Sequence, residues 1–152
     1  MRKITKYILA YSMWFVDLLL AIWLLIISRW ALVAFVTPII IDPTHFLYPK
    51  RAEVMDAVYI LLLGIVWVTF MIITQRYYSV GARKGYLFKR FARITGLLFL
   101  CLFMVDSVFF YLQGFDANNR LRWLIILAEL VLGVILILYG RKIANNTGDE
   151  RS

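Results

Sequence analysis

Apolar residues come in four nearly unbroken runs, residues 7–28, 57–74, 94–112 and 121–140, and charge and turn formers collect between them. About 20 apolar residues at roughly 1.5 Å rise cross a hydrocarbon core of about 30 Å, which is the length of each run. In lipid a segment must satisfy its own backbone polar groups, so each run is predicted as a transmembrane helix. Short connections on both sides of the third run predict an antiparallel up-and-down bundle of spans two, three and four. The expected fold is therefore an all-α integral membrane protein with four spans and one domain over residues 1–144. Residues 145–152 read as a polar cytoplasmic tail.

The first connection, residues 29–56, is the longest and holds all three prolines, Pro38, Pro43 and Pro49. Its front part, residues 31–41, is apolar but too short to cross, so an interfacial or re-entrant segment is expected. The later part, residues 42–51, is rich in turn formers and is expected to dock on the outer mouth of the bundle. Residues 113–120 form a short polar loop with Gly114, Asn118 and Asn119 as turn formers. Arg2, Lys3 and Lys6 resemble the basic start of a signal peptide. The first run exceeds the usual h-region of about 7–15 residues, and no small-x-small cleavage pattern follows it. A retained signal-anchor helix is expected.

Composition agrees with the pattern. The chain is 63% hydrophobic and 17% charged, with a mean hydropathy of +0.81, whereas soluble domains carry about a quarter charged residues. The net charge of +8 is unevenly spread. Twelve of the 17 Lys and Arg residues fall before span one, between spans two and three, or after span four. The other five, Arg29, Lys50, Arg51, Arg120 and Arg122, fall on the opposite side. Flanking lysines and arginines favour the cytoplasmic side, so a cell (inner) membrane protein with both termini in the cytoplasm is expected.

The basic stretch 75–93 interleaves cations with Tyr77, Tyr78, Tyr86, Phe88 and Phe91, a pattern that can hold single-stranded nucleic acid. Beside a span it is better read as a contact for anionic lipid headgroups, made by Arg83, Lys84, Lys89, Arg90 and Arg93. No nucleic acid is expected. Gly81 and Gly85 have GxxxG spacing, but they lie in this polar stretch rather than on a dimerisation face. One cysteine, Cys101, and one histidine, His45, supply neither a metal site nor paired haem ligands. No cofactor is expected.

The distinctive feature is three acids within the apolar runs: Asp17, Asp106 and Glu129. Ionisable groups at such depth are costly and usually mark assembly contacts or ion pathways. Asp17 lies ten residues past Tyr7, Asp106 twelve past Ile94, and Glu129 eleven before Gly140. Each is thus roughly 15–18 Å from a span end, near the midplane. Helical spacing puts Ala10, Asp17, Ala21 and Ser28 on one face of span one. It likewise groups Arg122, Glu129, Gly133 and Gly140 on span four, and Thr95, Phe99, Leu102, Asp106 and Gln113 on span three. Arg29, Asp56 and Arg122 are candidates for outer-leaflet ion pairing, and a cross-helix pair of Arg122 with Asp106 or Asp56 is within reach of a snorkelling side chain.

These features favour an accessory or structural membrane subunit, associating through the intramembrane carboxylates and the outer loop with a membrane-protein partner. The alternative is a small homo-oligomeric transporter or channel, coupled to protons or cations. No catalytic constellation accompanies the acids, so an enzyme is not expected.

Overall fold

A computed structural model describes residues 3–40, 48–112 and 120–148. They form four helices: α1 (Lys3–Ile40), α2 (Tyr48–Lys84), α3 (Leu87–Leu112) and α4 (Arg120–Gly148). Only Gly85 and Tyr86 among the described residues are not helical. All four helices are long and apolar enough to span a membrane.

The helices outrun the four apolar runs. Residues 31–40 form no separate interfacial segment; they continue α1 without a break. Nothing in the stretch from Arg29 to Thr37 breaks a helix, and residues 31–40 stay largely apolar to the helix end. Residues 48–51, expected to be turn-rich, open α2, while 41–47 lie outside the described residues. At the far end α4 runs to Gly148, so the helix takes in the first part of the expected tail, and 149–152 lie outside the described residues. Of the second outer loop, 113–119 also lie outside them.

The basic stretch 75–93 is likewise two helix ends rather than a loop. Gly85 adopts φ 80°, the left-handed conformation that ends many helices and that side chains disfavour. The Tyr86 N–H then reaches back to the Gly81 carbonyl at 3.1 Å, satisfying one of the orphan acceptors at the end of α2. Tyr86 itself caps α3, its carbonyl accepting from the Arg90 N–H at 3.2 Å. A two-residue connection thus fixes the relative depth of α2 and α3.

Packing is centred on α3, which lies mainly against α4 and α1; α1 in turn packs along α2. The principal neighbour of α2 is therefore α1, not α3 as the short connection suggests. Among the described residues α4 packs on α3 and on neither α1 nor α2. Small residues set the α3–α4 approach. A Cβ on Gly96 would stand 3.0 Å from the Gly133 carbonyl oxygen, and one on Gly133 would stand 3.1 Å from that of Gly96. Two backbones in contact leave dispersion and close packing to hold the pair, as helices in lipid commonly do. Between α1 and α2 the joint is built from Ala10, Tyr78 and Ala82, with Leu87 of α3 closing it. Large apolar side chains such as Leu61, Val66 and Ile72 on α2 and Leu124, Leu127 and Ile135 on α4 cover the perimeter.

Candidate functional site

The three acids of the apolar runs do not meet in one interior. Asp17 is bound to Thr95 of α3, whereas Asp106 lies eleven positions further along the same helix. That separation is about 16 Å of helix axis. Two polar sites result, one towards each end of the bundle.

The first is a knot of three helices around Asp17. The spacing that groups Ala10, Asp17 and Ala21 on one face of α1 does place all three in the buried seam, and Asp17 is fully enclosed. The Thr95 hydroxyl on α3 donates to Asp17 Oδ1 at 2.6 Å. The Tyr78 hydroxyl on α2 donates to Oδ2. Both donors are themselves buried. Both carboxyl oxygens are thereby engaged by hydroxyls, and a buried polar group so satisfied fastens its neighbours. One turn away, Trp14 Nε1 donates to Thr74 Oγ1 at 3.2 Å, a second bond between α1 and α2. Nothing in this geometry offers Asp17 to a ligand: the cavity beside it, between Tyr7, Trp14 and Tyr78, holds about 10 Å³.

The second site lies near the opposite end, where α1 and α4 flank α3 without touching each other. A cleft of about 350 Å³ opens there. Asp106 of α3 and Arg122 and Glu129 of α4 form its polar part; Trp23 and Trp30 of α1 and Phe109 of α3 form its walls. Arg122 reaches Asp106 at 3.5 Å and lies over the rings of Phe109 and Phe110, at 5.0 and 5.1 Å. The guanidinium is thus shared between a carboxylate and two aromatic faces, an arrangement suited to its planar, weakly hydrated charge. Glu129 is 8% exposed, and its Oε2 has no hydrogen-bond partner. A buried carboxyl oxygen without a donor is costly.

Two further groups sit on the margins. Arg29 pairs with Asp56, Nη2 to Oδ2 at 2.9 Å, and bridges α1 to α2. Of the five residues read as headgroup contacts, Arg83 donates to the Tyr7 hydroxyl at 3.2 Å. Lys89 stands over the Tyr86 ring at 5.7 Å. Arg90 donates to the Tyr77 carbonyl and lies 4.2 Å from that ring's centroid. The Arg93 side chain packs by Gly140, and Lys84 ends α2 in the open. All five cluster at the end of the bundle marked by the Gly85 turn. A second cleft, about 340 Å³ and apolar, separates α1, α2 and α3. It is bordered by Cys101, which is a free thiol.

Tyr78, Thr95, Trp23 and Phe109 complete the two sites. Thr95 shares the helical stripe of Asp106 and could be found that way. Tyr78 carries no such signal, since a tyrosine near a span end reads as an interfacial anchor. No protein-family model, curated protein or solved structure matches this chain, so its chemistry is read from its own geometry.

Proposed function

We propose that this chain is a four-pass, antiparallel cell-membrane protein with cytoplasmic termini, serving as an accessory or structural subunit of a larger membrane assembly. The antiparallel reading is supported by paired positions on α1 and α2: as α1 advances from Tyr7 through Asp17 to Arg29, its partners retreat from Arg83 through Tyr78 to Asp56. The cytoplasmic reading rests on the basic Gly85 end, whose cations suit anionic headgroups.

The observation that carries the subunit reading is the length of α1 beyond the Arg29–Asp56 pair. That pair is polar and partly exposed, which suits the outer boundary of the bilayer. α1 nevertheless runs eleven residues further, to Ile40, which is about 16 Å of helix. Phe35, on that extension, is 53% exposed, and Val54, near the start of α2, is 62% exposed. Apolar side chains held above a membrane call for a protein surface to cover them. In this reading the chain has no catalytic task.

A photo-crosslinking residue at position 35, with one at the perimeter position Ile72 as control, tests this in the native host. Crosslinks from 35 to one larger membrane protein, recovered in fixed stoichiometry, are expected. Crosslinks only to lipid, or equal yields from both positions, would remove the support. Glu129 favours a second reading, a small homo-oligomeric proton- or cation-coupled transporter or channel, because a buried carboxyl at the border of a cleft, one of its oxygens without a donor, is what such a protein uses. Crosslinks from 35 only to further copies of this chain would move the weight there.

A further inference from the structure

We propose that the cleft between α1 and α4 is a binding site for an amphiphilic amine: a protonated N–H ammonium carried on an apolar body. The inference rests on the membrane-spanning reading but not on the subunit reading. Three features of the cleft converge on that chemistry.

The charge balance comes first. Two carboxylates, Asp106 and Glu129, border the cleft with one cation, Arg122. Arg122 is engaged by Asp106 at 3.5 Å, so Glu129 is the carboxylate without a counter-charge among the described residues. Hydrogen bonding comes second. Glu129 Oε2 lacks a donor, which an ammonium with at least one N–H supplies and a quaternary ammonium does not. The walls come third. Trp23, Trp30 and Phe109 line the same cleft as the carboxylates, and tryptophan faces are the best aromatic partners for cations. The remaining lining is aliphatic, as for Ile125. A volume of about 350 Å³ falls at the small end of the range of about 300–1,000 Å³ typical of ligand pockets.

An ethanolamine phospholipid offers the same ammonium. Its phosphate sits close to that nitrogen, however, and Glu129 lies seven residues inward of Arg122, about 10 Å deeper. The free amine fits that depth without bringing a phosphate into hydrocarbon.

The protein is first recovered from membranes in neutral-detergent micelles; a chain that does not fractionate with membranes fails the earlier reading before any titration. Calorimetry against empty micelles then compares decylammonium, decyltrimethylammonium, decanol and an ethanolamine phospholipid. Saturable binding of decylammonium is expected, at least tenfold tighter than that of the trimethyl analogue, with none for decanol. Glu129→Gln, which keeps the shape and removes the charge, is expected to weaken decylammonium at least tenfold. Ile125→Phe, which fills the cleft from an exposed position, is expected to weaken it without touching a charge, and carries the test if Glu129→Gln does not fold. Equal binding of decanol, an unchanged affinity in both folded variants, or no saturable binding would overturn the proposal. Displacement of decylammonium by the ethanolamine lipid at lower concentration would overturn the free amine in favour of a lipid.

Discussion

The Thr95 hydroxyl of α3 donates to the Asp17 carboxyl of α1 at 2.6 Å, and this bond ties the first helix to the central one. With Tyr78 of α2 on the other carboxyl oxygen, three helices meet at a single acid. An acid accepts from two separate hydroxyls without needing a donor of its own, which Ser or Thr at that position cannot match. A role as fastener therefore accounts for Asp17 fully, and leaves Glu129 as the acid whose surroundings call for something more.

Asp17→Ala is expected to destabilise the protein by about 1–3 kcal/mol, because two buried hydroxyls lose their acceptor. Asp17→Asn should cost less, since its carbonyl oxygen still accepts one of the two bonds. Interhelical hydrogen bonds in membranes are modest, about 0.6 kcal/mol on average, so the alanine effect comes from stranded donors as much as from lost bonds. Denaturation in mixed micelles would rank the variants. If Ala and Asn both match the parent chain, Asp17 is not the fastener.

Glycines on different helices should respond oppositely to the same change. Gly96→Ala puts a methyl group 3.0 Å from the Gly133 carbonyl oxygen and 3.1 Å from the Ile137 nitrogen, both backbone atoms that cannot swing aside. Separation of α3 from α4 is the only relief, at an expected cost of about 1–3 kcal/mol. Gly64→Ala meets nothing within 4 Å and is expected to be neutral or slightly stabilising, alanine being the better helix former. Thermal melting of the two variants side by side would check this. Equal losses would mean the α3–α4 contact is looser than drawn.

At the turn between α2 and α3, Gly85→Val is expected to cost more than Gly85→Asn, since φ 80° suits asparagine far better than a β-branched residue. A left-handed conformation costs an ordinary side chain roughly 1–2 kcal/mol. The readout is again a melting temperature. A valine variant as stable as the asparagine one would show that the turn re-forms differently at little cost.

Four helices were legible in the sequence because each apolar run has the length that a bilayer requires, and length is a coarse signal that tolerates errors at the ends. Those ends were not legible. α3 begins at Leu87 rather than at residue 94, because Gly85 alone suffices to end α2 and amphipathic residues 87–93 continue the helix. The Gly81/Gly85 spacing looked like a feature of a polar loop; it is a helix terminus, a distinction that rests on one backbone angle. Buried faces were readable from small residues at helical spacing, as Ala10, Ala21, Gly133 and Gly140 demonstrate. Relative depth was not readable. Counting from apolar boundaries placed the three acids together, but the turn at Gly85 sets Tyr78 and Thr95 level with Asp17 and leaves Asp106 three turns away. Arg29 and Asp56, which pair, do lie near the same boundary in the sequence, whereas Arg122 pairs with Asp106, an acid that counting residues puts near the midplane.

Orientation gives a sharper test, because the charge asymmetry predicts which end of the bundle faces the cytoplasm. Twelve of the 17 cations lie at the Gly85 end or on the flanks that join it, and flanking lysines and arginines resist translocation. In a Cys101→Ala background, Asn118→Cys should react with a membrane-impermeant maleimide in intact cells. Ser152→Cys should react only after the cells are opened. Both positions are polar and lie outside the apolar runs, so a failure to label would not follow from burial in lipid. Labelling of 152 from outside would invert the chain. The basic cluster of Arg83, Lys84, Lys89, Arg90 and Arg93 would then face away from the anionic leaflet, and the Phe35 end of α1 would enter the cytoplasm. Labelling of both positions from outside would mean an even number of crossings between them, leaving α4 as a helix that does not span.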